Sequence, residues 1–237
     1  MTTSERRCAP TEFEVRARKG DAGGVVVEGH AAVFGRRSQN LGGFVEVVDA
    51  KAFDRSLGDN PDVRALINHD PSQLLGRTRS GTLRLSKDSA GLAYEIDMPD
   101  RQDARDLLVS MERGDISHSS FAFFVTRDGD EWSETEEGFP LRTLTGVSIH
   151  NGDVSPVTYP AYEDTDSGVA GRAYKSLAEA RSLDVAAVRA AAEAGTLRDL
   201  ISGEVPPVED LGAPRSSALA IARARMEMIR RHPRDLG

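Results

Sequence analysis

Gly114-Asp-Ile-Ser-His-Ser-Ser-Phe-Ala-Phe123 is the stretch of the sequence on which the interpretation of the fold depends. Its alternation predicts a β-strand with His118, Ser120 and Ala122 on one face and bulky apolar side chains such as Phe121 on the other. A serine held on a rigid strand can attack a carbonyl when a histidine from elsewhere takes its proton. The stretch therefore indicates a β-rich fold, and it makes hydrolysis the first functional hypothesis.

The patterns before this strand predict more strands and two short helices. Brief apolar runs bounded by turn residues predict strands through residues 12–98, interrupted by a two-turn helix at 50–57. The clearest helix covers residues 101–113, where Asp100 is the expected N-cap and Gly114 the expected end. The helix thus leads directly into the serine-bearing strand.

The rest of the chain contains a last pair of strands and a helical end. Residues 141–149 and 154–159 predict strands joined by a tight turn at Asn151-Gly152. After residue 172 the composition becomes alanine-rich, and a proline-rich segment then precedes a last helix. We therefore predict four segments: a β domain at 12–172, an alanine-rich helical extension at 173–204, a proline-rich linker at 205–214 and an arginine-bearing helical tail at 215–237.

Charge and cysteine content exclude several classes of protein. The net charge is -8, which argues against a general nucleic-acid binder because such proteins present basic surfaces. Cys8 is the only cysteine, so there is no disulfide framework, no cysteine-based zinc site and no cysteine-protease arrangement. The apolar stretches are far shorter than the roughly 20 residues of a membrane span. We expect a soluble, cytoplasmic protein that needs no cofactor or metal and binds neither nucleic acid nor membrane.

His69 and Ser120 are the candidate base and nucleophile. His69 follows an apolar strand, and a strand end can hold a side chain rigidly while leaving it accessible. An isolated histidine there is also common as a simple turn residue, and periodicity does not choose among Ser117, Ser119 and Ser120. His118 shares a face with Ser120, but alternate strand residues lie about 6.5 to 7 Å apart, which is long for proton transfer.

A serine–histidine pair needs a third group that holds the histidine in the productive tautomer. Asp153, directly after Asn151-Gly152, is one candidate, and His150 and Asp70 are the others. Asp70 is the weaker choice because neighbouring strand residues point to opposite faces. The choice between Asp153 and His150 stays open on this pattern alone.

Six segments carry a resemblance to a known family. In order along the chain they are Gly29-His-Ala-Ala-Val-Phe34, Phe44-Val-Glu-Val-Val-Asp-Ala-Lys-Ala-Phe53, Leu66-Ile-Asn-His-Asp70 with Leu75-Gly-Arg-Thr78, Gly81-Thr-Leu-Arg-Leu85, Gly114-Asp-Ile-Ser117 with Ser120-Phe-Ala-Phe123, and Asp153-Val-Ser-Pro-Val-Thr-Tyr-Pro-Ala-Tyr162. Over residues 12–172 the chain resembles the prohead proteases of tailed bacteriophages, which are related to the herpesvirus assemblins.

The resemblance implies a mainly β fold with flanking helices, built as a closed herpesvirus-protease-like β-barrel. It implies a serine endopeptidase that acts in the host cytoplasm, inside the assembling prohead. The expected substrates are scaffold protein or the scaffolding segment of the major capsid protein, and then the protease itself. Similarity to the assemblins implies a homodimer.

By the same resemblance Ser120 is the nucleophile, His69 the general base and Asp153 the residue that orients the base, with His150 as its substitute. The family usually has glutamate where Asp153 stands, and it has glycines where this chain has His118 and Ala122. Glycines would let the backbone come close to a substrate, so these two residues narrow that space and imply reduced or altered activity.

Two other functions stay open. The chain could be a catalytically silent assembly protein that keeps the protease fold and binds scaffold or capsid partners. It could also be a serine hydrolase that acts on a small ester or amide, because a fold does not fix a function. Residues 173–237 are interpreted either as a targeting segment removed by self-cleavage or as a plain helical extension.

Overall fold

The computed structural model describes residues 4–8, 15–20, 24–159 and 167–203, which form β-strands and short helices. The strands are β1 (Glu5–Cys8), β2 (Arg16–Lys19), β3 (Val25–Val33), β4 (Val45–Val48), β5 (Arg64–Ile67), β6 (Asp70–Arg77), β7 (Leu83–Lys87), β8 (Gly91–Asp97), β9 (His118–Val125), β10 (Asp130–Glu134), β11 (Pro140–Leu144) and β12 (Val147–Val157). The helices are α1 (Asp54–Gly58), α2 (Gln102–Glu112), α3 (Ser167–Arg181), α4 (Val185–Ala194) and α5 (Leu197–Ser202).

The strands belong to three sheets, with the orders β1-β9-β12-β5-β6, β2-β3-β8-β7 and β10-β11-β4. This confirms the prediction of a mainly β fold with helices. The closed barrel is not confirmed, because none of these sheets closes on itself in the described part of the chain. One reason lies between β6 and β7, where Thr78–Ser80 forms a 3-10 turn and the Arg77 N–H donates to the Thr82 hydroxyl at 3.0 Å instead of to a strand carbonyl.

The predicted tight turn at Asn151-Gly152 is wrong, since both residues lie inside the continuous strand β12. The pairing of β12 with β9 jumps from Ser148 opposite Phe124 to Asp153 opposite Ala122, so the residues between them form a bulge. At Gly152 a Cβ atom would lie 2.0 Å from the Ala122 carbonyl oxygen, a contact that only glycine avoids. After the bulge, the pairing between β12 and β9 resumes at Asp153.

The helix predicted at 101–113 is confirmed as α2. Its N-cap is Arg101, however, and the Arg101 side chain makes no capping hydrogen bond. The expected cap, Asp100, instead accepts a hydrogen bond from the Arg105 guanidinium. The helix predicted at 50–57 begins only at Asp54, after a run of turn residues.

Two apolar cores hold the molecule together. The first lies among the sheets and includes Phe53, Phe121 and Phe123, whose rings follow one another at centroid distances of 5.7 and 4.7 Å. The second joins α3, α4 and α5 to Phe44 and Trp132. The helices therefore pack against the β-strands through a core of their own.

Several predictions concern the end of the chain. The boundary predicted after residue 172 falls inside α3, and α4 and α5 lie in the predicted helical extension. The predicted linker at 205–214 and tail at 215–237 lie outside the described residues. Among the described helices, none is both long and apolar enough to cross a membrane.

Candidate active site

Ser120 lies in β9, between two neighbouring strands of the five-stranded sheet. Its backbone is opposite Ser155 of β12 on one side and Cys8 of β1 on the other. Its neighbour Ser119 points to the other face and shares a 2.5 Å hydrogen bond with the Tyr94 hydroxyl. Strand alternation therefore separates the two serines, and Ser120 is the one that faces the candidate base.

His69 lies in the two-residue turn between β5 and β6. Asn68 and His69 have φ values of 52° and 59°, the left-handed pair that such a turn needs to match the twist of its strands. The turn is tied to the end of β12, where the Asn68 N–H donates to the Pro156 carbonyl at 3.0 Å and the Asn68 side-chain oxygen accepts from the Thr158 N–H at 2.8 Å. The imidazole is thus positioned where the neighbouring parallel strands β5 and β12 end, at the same end of the sheet.

Asp153 is the first residue after the β12 bulge, opposite Ala122. Its Oδ1 accepts a 2.7 Å hydrogen bond from the hydroxyl of Ser155, two residues along the same strand face. Ser155 is fully buried. This buried hydroxyl therefore holds the carboxylate in place.

The three side chains form one hydrogen-bonded row. His69 Nε2 lies 2.7 Å from Ser120 Oγ, and His69 Nδ1 lies 2.5 Å from Asp153 Oδ1. The imidazole and the carboxylate are only 8% and 12% exposed. With Nδ1–H donating to the carboxylate, Nε2 is free to accept the serine proton, which is the arrangement that activates a serine for acyl transfer.

Strand β1 lies against the nucleophile at one end of this row. Ser120 is 0% exposed, and its Oγ also donates to the Arg7 carbonyl oxygen at 3.0 Å. A hydroxyl has one proton, so the Arg7 carbonyl competes with His69 for it. In this arrangement a substrate carbonyl has no route to the hydroxyl.

The other residues considered for the site lie elsewhere. His150 Nδ1 accepts the Asp62 N–H at 3.2 Å, and its ring lines a groove of about 540 Å³. The Asp70 carboxylate accepts from Ser72 and Gln73, within its own strand β6. Of the described carboxylates and histidines considered for the third place, the structure brings Asp153 to His69.

Charged pairs next to the site hold the bulge that carries Asp153. The buried Asp62 carboxylate accepts two hydrogen bonds from the Arg77 guanidinium, at 2.7 and 2.6 Å, and the Asp62 carbonyl accepts from the Asn151 N–H. Chiefly because of the Arg77 hydrogen bonds, and despite burial, the pKa of Asp62 falls from its ordinary 3.8 to about 2. Asp62 therefore links β6 to the bulge as a carboxylate.

Sequence reasoning missed three contributors: Ser155, Asn68 and the Arg7 carbonyl. Ser155 could have been found, since it is two residues from Asp153 and so shares its strand face. Asn68 carries the signal of a left-handed turn residue next to His69. The Arg7 contact had no local signal, because it depends on pairing between segments more than a hundred residues apart.

Comparisons with known proteins give a family. The family model described as caudovirus prohead serine protease matches residues 11–180, which include Ser120, His69 and Asp153. Among solved structures, the chain is similar to the capsid assembly protease gp21 of bacteriophage T4, at 10% identity and a TM-score of 0.34, over 64% of this chain and 98% of that one. No curated protein matches the chain. The family match extends over most of the sequence, and the chain therefore belongs to the caudovirus prohead serine protease family.

Proposed function

We propose that this chain is the endopeptidase of prohead maturation, with Ser120 as nucleophile, His69 as general base and Asp153 as the group that orients the base. The observation that carries the proposal is the row of hydrogen bonds that joins Ser120 to His69 at 2.7 Å and His69 to Asp153 at 2.5 Å. This row lies within the span that matches the protease family.

In the proposed reaction His69 Nε2 takes the proton of Ser120 as Oγ bonds to the carbonyl carbon of a peptide. His69 then gives that proton to the leaving amide nitrogen, and a water molecule repeats the sequence to release the acyl group. Asp153 holds Nδ1–H and stabilises the imidazolium that forms in between. Backbone N–H groups would bind the oxyanion.

The proposed substrates follow from membership of the family. They are the scaffold protein or the scaffolding segment of the major capsid protein, cut inside the prohead in the host cytoplasm. We also propose self-cleavage within residues 173–237 and activity as a homodimer.

A catalytically silent assembly protein is the second candidate, and one observation favours it. Ser120 is 0% exposed in this structure, and its hydroxyl is bonded to the Arg7 carbonyl of the neighbouring strand β1. An enzyme requires β1 to move, whereas a silent assembly protein does not. The two functions therefore differ in whether Ser120 matters.

Co-expression with the major capsid protein of the same phage tests this. Wild type, Ser120→Ala and the exposed-serine control Ser86→Ala would be compared through intact masses of both proteins. We expect the capsid protein and the protease to be shortened with wild type and Ser86→Ala, and both to stay whole with Ser120→Ala. Unchanged masses in all three samples, with the chain still inside proheads, would establish the silent assembly protein.

A further inference from the structure

The N-terminal strand β1 lies where an extended substrate would lie. It forms the outer edge of the five-stranded sheet and pairs antiparallel with β9, with Cys8 opposite Ser120. Many peptide-binding proteins take an extended ligand in this way, as one more strand on a sheet edge. Without β1, the edge beside the nucleophile would be β9 itself.

The residue whose carbonyl meets Ser120 also fills a built pocket. The Arg7 side chain is buried, and its Nε and Nη2 atoms donate to the two carboxylate oxygens of Glu46 at 2.5 and 2.9 Å. Its guanidinium carbon lies 5.5 Å from the centre of the Phe123 ring. A two-pronged contact to a carboxylate together with an aromatic ring is a setting that suits arginine better than lysine.

A second buried arginine, Arg142, binds Glu5, the residue two places before Arg7. Arg142 is buried and donates to Glu5 of β1 at 3.1 Å, to Glu46 at 3.0 Å and to Asp130 at 2.6 Å. Arg142 and Arg7 together lower the pKa of Glu5 despite its burial, so Glu5 is present as a carboxylate. β1 therefore offers the pattern acidic residue, any residue, arginine.

Removal of β1 would leave this pocket with unsatisfied charge. Glu46, Asp130 and Arg142 would remain, which is two carboxylates and one guanidinium. Glu46 would lose its two-pronged partner, and Arg142 would lose one of its carboxylates. The groups left behind are complementary to an incoming segment with the same pattern as β1.

We propose that the pocket formed by Glu46, Arg142 and Phe123 is the primary specificity site of the protease and selects substrate segments of the form acidic residue, any residue, arginine. The proposal rests on the proposed function, because it requires Ser120 to be the nucleophile. An arginine bound in this pocket would have its carbonyl carbon next to Ser120 Oγ. The bond that breaks joins this carbonyl to the next amide nitrogen, which leaves with the proton from His69. β1 itself is held unproductively, since the serine hydroxyl donates to the Arg7 carbonyl oxygen.

The helical extension contains an exposed segment of this form. Glu179, Ala180 and Arg181 end α3, and all three are exposed, as is Ser182, which has a φ of 54° and takes the chain out of the helix. The specificity site would select the bond between Arg181 and Ser182 once this helix end unwinds. This locates the proposed self-cleavage at one bond.

Internally quenched peptides spanning 176–185 test the specificity on the full chain. Matched peptides would carry arginine, glutamine or glutamate at the place of Arg181. We expect kcat/KM to be about 10- to 100-fold higher for the arginine peptide, the ratio expected for one charged hydrogen-bonding contact of about 1.5 to 3 kcal/mol. Equal cleavage of the three peptides would overturn the proposal.

Variants then distinguish a role of Glu46 in substrate specificity from a role in maintaining the fold. Glu46→Gln should lower kcat/KM for the arginine peptide much more than for the glutamine peptide. The exposed control on a strand of the same sheet, Glu131→Gln, should change neither. An equal loss on both peptides would mean that Glu46 only maintains the fold. Since Glu46→Gln could itself unfold the chain, Arg7→Ala gives an independent measurement that leaves the pocket in place.

Labelling of Ser120 with a fluorophosphonate completes the test. Arg7→Ala removes the contacts to Glu46 that hold β1 in place, so we expect Ser120 to be labelled faster than in wild type. We also expect an excess of the arginine peptide to slow this labelling more than an excess of the glutamine peptide does. Labelling of Ser120 without preference for arginine would overturn this proposal and leave the proposed function standing. No labelling and no cleavage in either chain would overturn both.

Discussion

At the scale of single residues, the position of His69 depends on an uncommon backbone conformation. A residue other than glycine with φ near 59° costs about 1 to 3 kcal/mol in backbone strain, and it keeps this conformation only because its surroundings hold it there. Here the holding groups are those of Asn68, which bonds to Pro156 and Thr158 at the end of β12. The same strand carries Asp153, so one element fixes both the base and the carboxylate that orients it.

The Ser155 hydroxyl gives the first prediction. Ser155→Ala removes a hydrogen bond to Asp153 Oδ1, and a bond to a charged group contributes about 1.5 to 3 kcal/mol, so kcat should fall about 10- to 100-fold. The thermal midpoint should fall as well, because the bond that is lost is buried, whereas KM should change little. The same substitution at Ser148, on the same strand, should leave kcat intact. Peptide hydrolysis and thermal unfolding measure both quantities. A normal kcat in Ser155→Ala would show that Asp153 needs no second support.

Asp62 gives a prediction about how the stability of the fold depends on pH. Its pKa is lowered to about 2 in the folded chain from an ordinary 3.8, so it stabilises the fold fully above 3.8, and this contribution is lost as the pH falls toward 2. Asp62→Asn should therefore be less stable than wild type at neutral pH, and the difference should narrow between these two values. Urea unfolding at a series of pH values measures it, with the exposed Asp59→Asn as control. A difference independent of pH would contradict the assignment of Asp62 as the linked carboxylate.

At the scale of elements, β12 depends on the absence of a side chain at Gly152. Gly152→Ala places a Cβ atom 2.0 Å from the Ala122 carbonyl oxygen, so the strand must move and Asp153 with it. We expect a loss of about 1 to 3 kcal/mol in the free energy of unfolding, the usual effect of forcing extra volume into a packed site, together with loss of peptidase activity. Gly24→Ala, where the added atom meets nothing within 4 Å, is the control for urea unfolding. Equal stability of the two variants would argue against the bulge.

The elements also show which features the sequence reveals. Helix α2 and strand β9 carry regular apolar patterns, and both were predicted from them. Asn151-Gly152 carries the strongest local turn signal, and yet it forms a bulge because the pairing of β12 with β9 on both sides of it is worth more than a local turn. Strand β1 carries no pattern of its own, since residues 5–8 are polar and become a strand only by pairing with β9.

At the scale of the whole molecule, the site is assembled from distant segments. Ser120, His69 and Asp153 come from β9, the β5–β6 turn and β12, and each is a weak signal alone. The resemblance to the family supplied their roles as expectations, and the structure supplies the contacts among them. Strand β1 could not be predicted, because it lies before residue 12, where the predicted β domain begins.

The helical core gives the prediction that belongs to this scale. Leu177 is fully buried where α3 meets the strands, and Leu177→Ala should cost about 2 to 5 kcal/mol as a cavity. Amide hydrogens of α3 to α5 should then exchange faster, while those of β9 and β12 keep their protection. Hydrogen exchange with mass detection measures this, and Lys175→Ala on the exposed face of α3 is the control. Equal acceleration in helices and sheets would mean that the two cores unfold as one.

Trp132 is the only tryptophan in the chain, and its ring lies 5.0 Å from Phe44, which in turn packs against Tyr174 of α3 at 6.2 Å. If the helices separated from the strands, the Trp132 indole would become exposed to water and its fluorescence emission would shift to longer wavelength. The protein thus contains its own optical reporter at the junction with α3. Stopped-flow emission from a single unlabelled residue could time the departure of the helical extension against the appearance of cleaved product.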